Sequence, residues 1–274
     1  MKLTQYQVDA FTSQLFSGNP AAVVPLSSWL DTSLMQHIAA ENNLSETAFF
    51  VPTGSGFHIR WFTPECEVDL CGHATLAAAY VLFHCLAYQQ QSICFESLSG
   101  PLYVSQHQGR LTLDFPSQPS QPLDLDTEQQ QVFKQTLTQA LNQQPQACLL
   151  GEDLLVVLES EQALSELNPD LSLLAQLQGR GVIVTAPSES YDFVSRFFAP
   201  AQGLDEDPVT GSAHTQLTPY WAERLGKQCL HAKQVSTRGG ELFCELQDQR
   251  VLISGDAVLF MTAEIHLPES NRKK

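Results

Sequence analysis

Apolar and polar residues alternate in several short segments, the pattern of strands that bury one face. Residues 3–10 alternate with Tyr6, Val8 and Ala10 on one side, and residues 57–62 read as a strand after a Pro-Thr-Gly-Ser-Gly turn. Segments with helical patterns separate such strands, at 31–42, 128–142 and 160–178. The pattern predicts a mixed α/β (α+β) protein.

One helical segment, residues 74–86, is apolar on almost every side. Such a helix is normally buried at the centre of a domain, so we expect it to form a core. A second segment, 213–225, is its counterpart later in the chain and contains Pro219. Proline cannot donate a helical hydrogen bond, which predicts a helix that is kinked or begins one turn late.

These two helices follow two versions of one motif. Arg-Trp-Phe-Thr-Pro at 60–64 leads to a glycine turn at 71–75, and Arg-Phe-Phe-Ala-Pro at 196–200 leads to another at 207–213. The copies are 136 residues apart at their arginines and 139 apart at their glycines, because the second loop is longer. The repetition predicts two similar domains, each a curved, mostly antiparallel sheet around a central helix.

The domain boundaries follow from this repetition and from composition. Residues 1–117 form the predicted N-terminal domain, and residues 128–259 form the C-terminal one. Between them, 118–127 is a polar, proline-containing linker. The last strand, about 260–268, is a candidate to join the first domain.

Charge and hydropathy exclude several classes of protein. The chain has 274 residues and a net charge of −16, and its one basic cluster is the tail at 271–274. Nucleic acid is therefore not an expected partner, since binding phosphates requires clustered Lys and Arg. No apolar run is long enough to span a bilayer, and the N-terminus lacks the apolar stretch of a signal peptide, so we expect no membrane association and a cytoplasmic location.

Neither the spacing of the cysteines nor any sequence motif indicates a metal or a cofactor. Seven cysteines are scattered without a recurrent metal-binding spacing, which favours reduced thiols and no metal. The sequence has no phosphate-binding loop, no dinucleotide-binding fingerprint and no nucleophile elbow. We therefore expect no cofactor.

The two glycine turns are the candidate site. The first turn of a helix leaves four amide N–H groups without partners, and Gly72 and Gly211 allow a ligand to approach that backbone closely. A single glycine here would most simply make a tight turn. Because the turns are paired, we expect them to face each other in one active site that holds a carboxylate.

Glu46 and His73 are the main candidates for proton transfer. Glu46 lies among apolar or small residues at 44–50, and a carboxyl group removed from water suits a general acid or base near neutral pH. A solvated glutamate at a strand edge explains the pattern equally well. His73 follows Gly72, and a histidine at a helix N-terminus tends to be neutral, so it could orient or relay a proton or simply cap the helix.

Five further residues complete the candidate set. On the second turn, Asp207 could position Glu46 or His73, and Ser212 could bind substrate, although an ordinary loop aspartate and first-turn serine fit as well. Cys71 could be a thiolate activated by the helix end. The predicted substrate-binding residues are Asn19, Cys71, Gly72, Thr210 and Gly211.

Seven segments together resemble the phenazine-biosynthesis (PhzF-like) isomerase family, which has the diaminopimelate epimerase fold. They lie at 8–11, 18–23, 43–49, 60–64, 71–75, 207–214 and 238–240. The resemblance covers nearly the whole chain. It implies two sheet-around-helix domains with the site between them, a homodimer, and no metal or organic cofactor.

The resemblance also implies the roles of the residues. It assigns acid/base chemistry to Glu46, supported by His73, Asp207 and Ser212, in the isomerisation of a small carboxylic acid. Epimerases of this fold use one cysteine on each turn, whereas this chain has Cys71 on the first and Thr210 on the second. Two alternatives therefore stay open: a racemase or epimerase with Cys71 as a base, and a binding protein without turnover.

Overall fold

The computed structural model describes residues 1–107 and 109–267; residue 268 of the predicted last strand and the basic tail at 271–274 lie outside this range. The described chain divides into two compact units. Unit 1 contains Met1–Asp114 and the described residues from Ser254 onward, and unit 2 is Phe115–Ile253.

Unit 1 contains the first eight strands, the last strand and two helices. Its strands are β1 (Lys2–Ala10), β2 (Asn19–Pro25), β3 (Glu46–Pro52), β4 (Phe57–Phe62), β5 (Glu67–Val68), β6 (Ser92–Ser97), β7 (Gly100–His107), most of β8 (Arg110–Pro116) and β18 (Ala257–His266). Its helices are α1 (Thr32–Asn42) and α2 (Gly72–Tyr80), and α2 continues into a π-helical turn at Val81–Cys85.

Unit 2 contains the remaining strands and four helices. Its strands are β9 (Gln121–Pro122), β10 (Ala147–Leu150), β11 (Leu154–Val157), β12 (Val182–Ala186), β13 (Phe193–Ala199), β14 (Leu204–Asp207), β15 (Cys229–Gln234), β16 (Gly240–Gln247) and most of β17 (Arg250–Gly255). Its helices are α3 (Thr127–Leu141), α4 (Glu161–Ser165), α5 (Leu171–Leu174) and α6 (His214–Leu225).

The same strand pairings recur in both units. In unit 1, β1 and β2 are antiparallel, β2 and β3 parallel, β3 and β4 antiparallel, β4 and β6 parallel, and β6 and β7 antiparallel. In unit 2, β10 to β13 and then β15 and β16 repeat this order. The short strands β5 and β14 pair with β4 and β13 at equivalent places. The predicted α/β fold of two similar units is therefore confirmed. In unit 1, β18 adds a further strand beside β1.

The predicted central helix of unit 1 is confirmed. Every α2 residue except Tyr80 is buried, and the helix packs against β1, β2 and β3. The opposite helix α1 contributes Met35 and Ile38 to a separate cluster with residues of β2, β3 and β4. The sheet is thus covered on both faces, which explains why its strands are rich in apolar residues.

The late start predicted for the second central helix is also confirmed. Helix α2 begins at Gly72, whereas α6 begins at His214, three residues after the equivalent Gly211. The amides of His214 and Thr215 donate to the carbonyls three residues earlier, so a tight turn precedes the helix.

The single helix predicted at 160–178 is wrong. The structure has two short helices, α4 and α5, each capped by its own side chain: Ser160 accepts from the Ala163 amide and Asp170 from the Leu173 amide. Pro169 lies between them, and proline disfavours helical geometry at the residue before it. The apolar spacing of both segments is preserved because Leu164 and Leu174 pack into the same core.

Candidate active site

The first glycine turn brings four predicted residues together in unit 1. Glu46 begins β3, Asn19 begins β2, and Cys71 is the N-cap of α2, with His73 the second residue of that helix. Parallel pairing places Ala21 of β2 opposite Glu46, so the strand ends lie side by side.

The imidazole of His73 is the centre of this group. Its Nε2 lies 3.1 Å from Oε2 of Glu46, and its Nδ1 lies 3.1 Å from Nδ2 of Asn19 and 3.5 Å from Sγ of Cys71. Among the described residues, neither Nε2 of His73 nor Oε2 of Glu46 has a hydrogen bond of good geometry, although both atoms are buried. Buried polar atoms are usually hydrogen-bonded, so this pair is placed to engage a third group.

Electrostatics within this group differ from the sequence-based expectations. Burial disfavours the imidazolium, but the Cys71 sulfur and the Glu46 carboxylate outweigh it, so the pKa of His73 lies well above its ordinary value. The prediction of a neutral His73 is therefore wrong. A helix N-terminus disfavours a cation only weakly, and a carboxylate at 3.1 Å has the larger effect.

The thiol of Cys71 also departs from expectation. Burial and the Glu46 carboxylate raise the pKa of Cys71 to about 11. The direction is opposite to that of a thiolate activated by a helix end. Cys71 is therefore a neutral, buried thiol near pH 7.

Glu46, Cys71 and His73 also form a possible metal-binding set. Each offers one ligand atom, and these atoms lie within 4.8 Å of one another, with the mixed donor chemistry that zinc accepts. Glu46, however, faces Nε2 of His73 while Cys71 faces Nδ1. One ion could not use both contacts as they stand, so the arrangement fits proton transfer better than metal binding.

The second glycine turn, in unit 2, is organised by different side chains. Asp207 ends β14 and accepts a 2.5 Å hydrogen bond from the Thr210 hydroxyl. Gln234, fully buried on β15, donates to the Asp207 carbonyl and to Oγ1 of Thr210 and accepts from the Thr210 amide. The hydroxyl of Thr210 is therefore engaged within the turn, which stiffens the backbone before Gly211.

Ser212, the predicted substrate-binding serine, has one charged partner. Its Oγ accepts a 2.9 Å hydrogen bond from Nη2 of Arg180. Arg180 in turn forms two hydrogen bonds to the carboxylate of Asp153, which is 1% exposed.

His214, in the first turn of α6, is a fully buried structural histidine. Its Nδ1 donates to the Thr210 carbonyl over 2.8 Å. Burial lowers the pKa of His214 to about 4, so the side chain is neutral.

Sequence reasoning missed Arg180, Asp153 and Gln234. None of them lies in the repeated motif itself. When the two units are aligned at the starts of β3 and β12, Arg180 stands at the position of Ser45, next to the position of Glu46. Such an alignment would have identified Arg180. Asp153 and Gln234 have no comparable signal, because Asp153 meets Arg180 across 27 residues of chain and Gln234 meets Thr210 across 24.

A family model described as phenazine biosynthesis-like protein (PhzC-PhzF) matches residues 8–263. The chain belongs to this family. An uncharacterized isomerase of Pseudomonas aeruginosa, PA3578, is 54% identical over 97% of this chain and 100% of its own length. The crystal structure of a PhzF-family protein from Enterococcus faecalis is 47% identical, with a TM-score of 0.92 over 97% of this chain and all of that one.

A more distant structure extends the likeness in fold. The predicted epimerase PA4716 of Pseudomonas aeruginosa is 22% identical, with a TM-score of 0.76 over 97% of this chain and 100% of that one. The fold of this family is thus shared with epimerase-like proteins, as the resemblance to the diaminopimelate epimerase fold implies. Among the described residues, no helix combines the length and hydropathy that crossing a membrane requires.

Proposed function

We propose that the protein is a cofactor-independent isomerase that moves a proton on a small carboxylic acid, with Glu46 as the acid/base. Membership in a family whose relatives include proteins named isomerases supports the general class. The observation that carries the finer proposal is the Glu46–His73 pair, 3.1 Å apart beside the N-terminus of α2.

The proposed reaction has two steps. The Glu46 carboxylate takes a proton from a carbon next to an electron-withdrawing group, and the electron pair of the broken C–H bond moves into the conjugated acid. The protonated Glu46 then returns the proton to another carbon, forming the new C–H bond. His73 in its charged form balances the negative charge, and backbone amides of the first glycine turn hold the developing anion.

In this proposal the side chains of the second turn bind a carboxylate. Ser212 and the amides near Gly211 hold it, while Asp207 keeps Thr210 and the turn in place. Asn19 fixes the imidazole of His73 through Nδ1. We also propose a homodimer, following the expectation for the family.

Solvent exchange tests the role of Glu46. A panel of amino and hydroxy acids, including dihydroanthranilates, is incubated with protein in deuterated water and read by mass. For a substrate the wild type labels, Glu46→Gln should reduce labelling by about 10²–10⁴-fold, the usual contribution of a general acid/base. Glu67→Gln is the matched control, because Glu67 is a partly buried acid of the same unit that pairs with Arg60. Full exchange in Glu46→Gln would refute the assignment.

The two alternatives predict other outcomes. A racemase that uses Cys71 would lose exchange in Cys71→Ser and keep much of it in Glu46→Gln. The raised pKa of Cys71 and the engagement of Thr210 by Asp207 weigh against it. A binding protein without turnover would show ligand binding and no exchange for any acid.

A further inference from the structure

Strand register shows which residues of the two units are equivalent. Phe62 and Phe198 are the third residues of the two repeated motifs, and they pair with Thr47 of β3 and Val182 of β12, respectively. Thr47 and Val182 are therefore equivalent positions. The residue before each is Glu46 in unit 1 and Gly181 in unit 2.

The two units place opposite charges at this strand start. In unit 1, Glu46 contacts His73, the residue after the first turn glycine. In unit 2, Arg180 precedes Gly181 and contacts Ser212, the residue after the second turn glycine. A carboxylate faces the first turn where a guanidinium faces the second.

The guanidinium of Arg180 is held rigidly. Its Nε and Nη2 donate to the two oxygens of Asp153 over 3.0 and 2.8 Å, and the ring of Phe197 lies 5.6 Å from its Cζ. A planar fork bound to a carboxylate in this way loses little further freedom when it makes a third hydrogen bond. That third bond goes to Ser212.

The bond from Arg180 changes what Ser212 can do. A hydroxyl oxygen that accepts from a charged N–H keeps its own proton for another partner, and hydrogen bonds in such a chain strengthen one another. Ser212 is thereby prepared as a donor. Asp153 and Glu152 lie 2.8 and 3.6 Å from the guanidinium and offset its charge, so the contribution of Arg180 is the direction that it gives to the Ser212 hydroxyl.

We propose that Arg180 is a positioning residue of an anion-binding turn: it orients the Ser212 hydroxyl as a donor to the substrate carboxylate. This rests on the proposed function in that the substrate is a carboxylic acid. The role assigned to Arg180 and Ser212 is thus binding, within unit 2.

A purely structural Arg180 is the alternative that the test must separate. The Arg180 amide donates to the Glu152 carbonyl, and its side chain ties the 151–153 loop to the turn. Arg180→Met would leave the buried Asp153 carboxylate without its charge partner and could unfold the protein. Arg180→Lys keeps a positive charge for Asp153, but one ammonium cannot replace the fork and also reach Ser212.

Calorimetric titration of the full-length protein with anthranilate, and with uncharged anthranilamide as control, measures the effect. Arg180→Lys should weaken anthranilate binding about tenfold, the scale of one charged hydrogen bond, and leave anthranilamide binding unchanged. In a Ser212→Ala background the same substitution should have little further effect, since the pair acts as a unit. Arg196→Lys is the matched control: Arg196 forms an equivalent fork with Glu206 and should change affinity less than about twofold.

Three results would overturn the proposal. They are an unchanged anthranilate affinity in Arg180→Lys, an equal loss with and without Ser212, and a wild type that binds neither probe or both alike. The proposed function fails separately. Glu46→Gln should retain anthranilate affinity, and a protein that binds anthranilate through Arg180 but exchanges no acid would refute the isomerase and leave the role of Arg180 standing.

Discussion

The two glycine turns occupy equivalent places in equivalent units, yet they carry different chemistry. Behind each turn an arginine forms a fork with a glutamate, Arg60 with Glu67 and Arg196 with Glu206. In front of the first turn are an acid, an imidazole and a thiol, and in front of the second a guanidinium and hydroxyls. The two units thus share the arginine–glutamate pairs that support the sheet, and they differ in the side chains that face the turn.

The pKa values of the two histidines, His73 and His214, shift in opposite directions. His73 has its pKa raised because a carboxylate and a sulfur lie against it, although burial opposes this. His214 has its pKa lowered to about 4 because it is buried with no acid to offset the loss of water. Similar burial thus gives opposite protonation at neutral pH, and the deciding factor is the set of groups that lie against each ring.

The largest predicted effect concerns stability in acid. His214 binds its proton far more weakly in the folded protein than in the unfolded chain. Its contribution to the free energy of unfolding is therefore complete above about pH 6.5 and is lost as pH falls towards 4. A difference of about 2.5 pKa units corresponds to about 3 kcal/mol. Urea unfolding at pH 7 and pH 4.5 measures this free energy. The part of its fall that comes from His214 should be mostly absent in His214→Gln.

His231→Gln is the control for that measurement, since His231 is a half-exposed histidine of the same unit beside Glu241. It should keep the acid sensitivity of the wild type. His73 has the opposite sign: its contribution is complete below pH 6.5 and is lost as pH rises through its elevated folded pKa. Identical acid sensitivity in His214→Gln and the wild type would contradict the assignment to His214.

The next effect separates the two turns by kinetics. His73→Gln should lower kcat by about 10²-fold, because it removes the charge beside the proton-transferring carboxylate, and should leave KM nearly unchanged. Ser212→Ala should mainly raise KM, by about tenfold, through the loss of a hydrogen bond to a charged group. Steady-state kinetics on any acid that exchanges would measure both. If the two variants changed kcat and KM in the same proportion, the turns would not have separate roles in catalysis and binding.

The smallest effect concerns Cys71. A thiol whose pKa is raised to about 11 carries little negative charge at pH 7, so Cys71→Ser should change exchange by less than about threefold. The same experiment on Cys244, a buried cysteine of unit 2, gives a control for packing alone. A large loss that is specific to Cys71 would instead support the racemase that uses Cys71 as a base.

Much of the scaffold could be predicted from local patterns. The alternation in β1, the all-apolar face of α2 and the effect of Pro219 each depend on residues close in sequence. The helix predicted at 160–178 failed because apolar spacing continues across Pro169, and spacing alone does not register the backbone restriction that proline imposes. The repeated motif, in turn, was sufficient to identify both turns, whereas Glu46 became a candidate through its apolar surroundings and through the resemblance to the family.

The sequence by itself determined the duplication, the two turns and the residue types on them, because these are properties of short segments. Tertiary structure decided which side chains meet. Arg180 reaches Ser212 across 32 residues and Asp153 across 27, through strand register that no local pattern encodes. It also decided the protonation of His73, since that depends on a carboxylate from another strand at 3.1 Å.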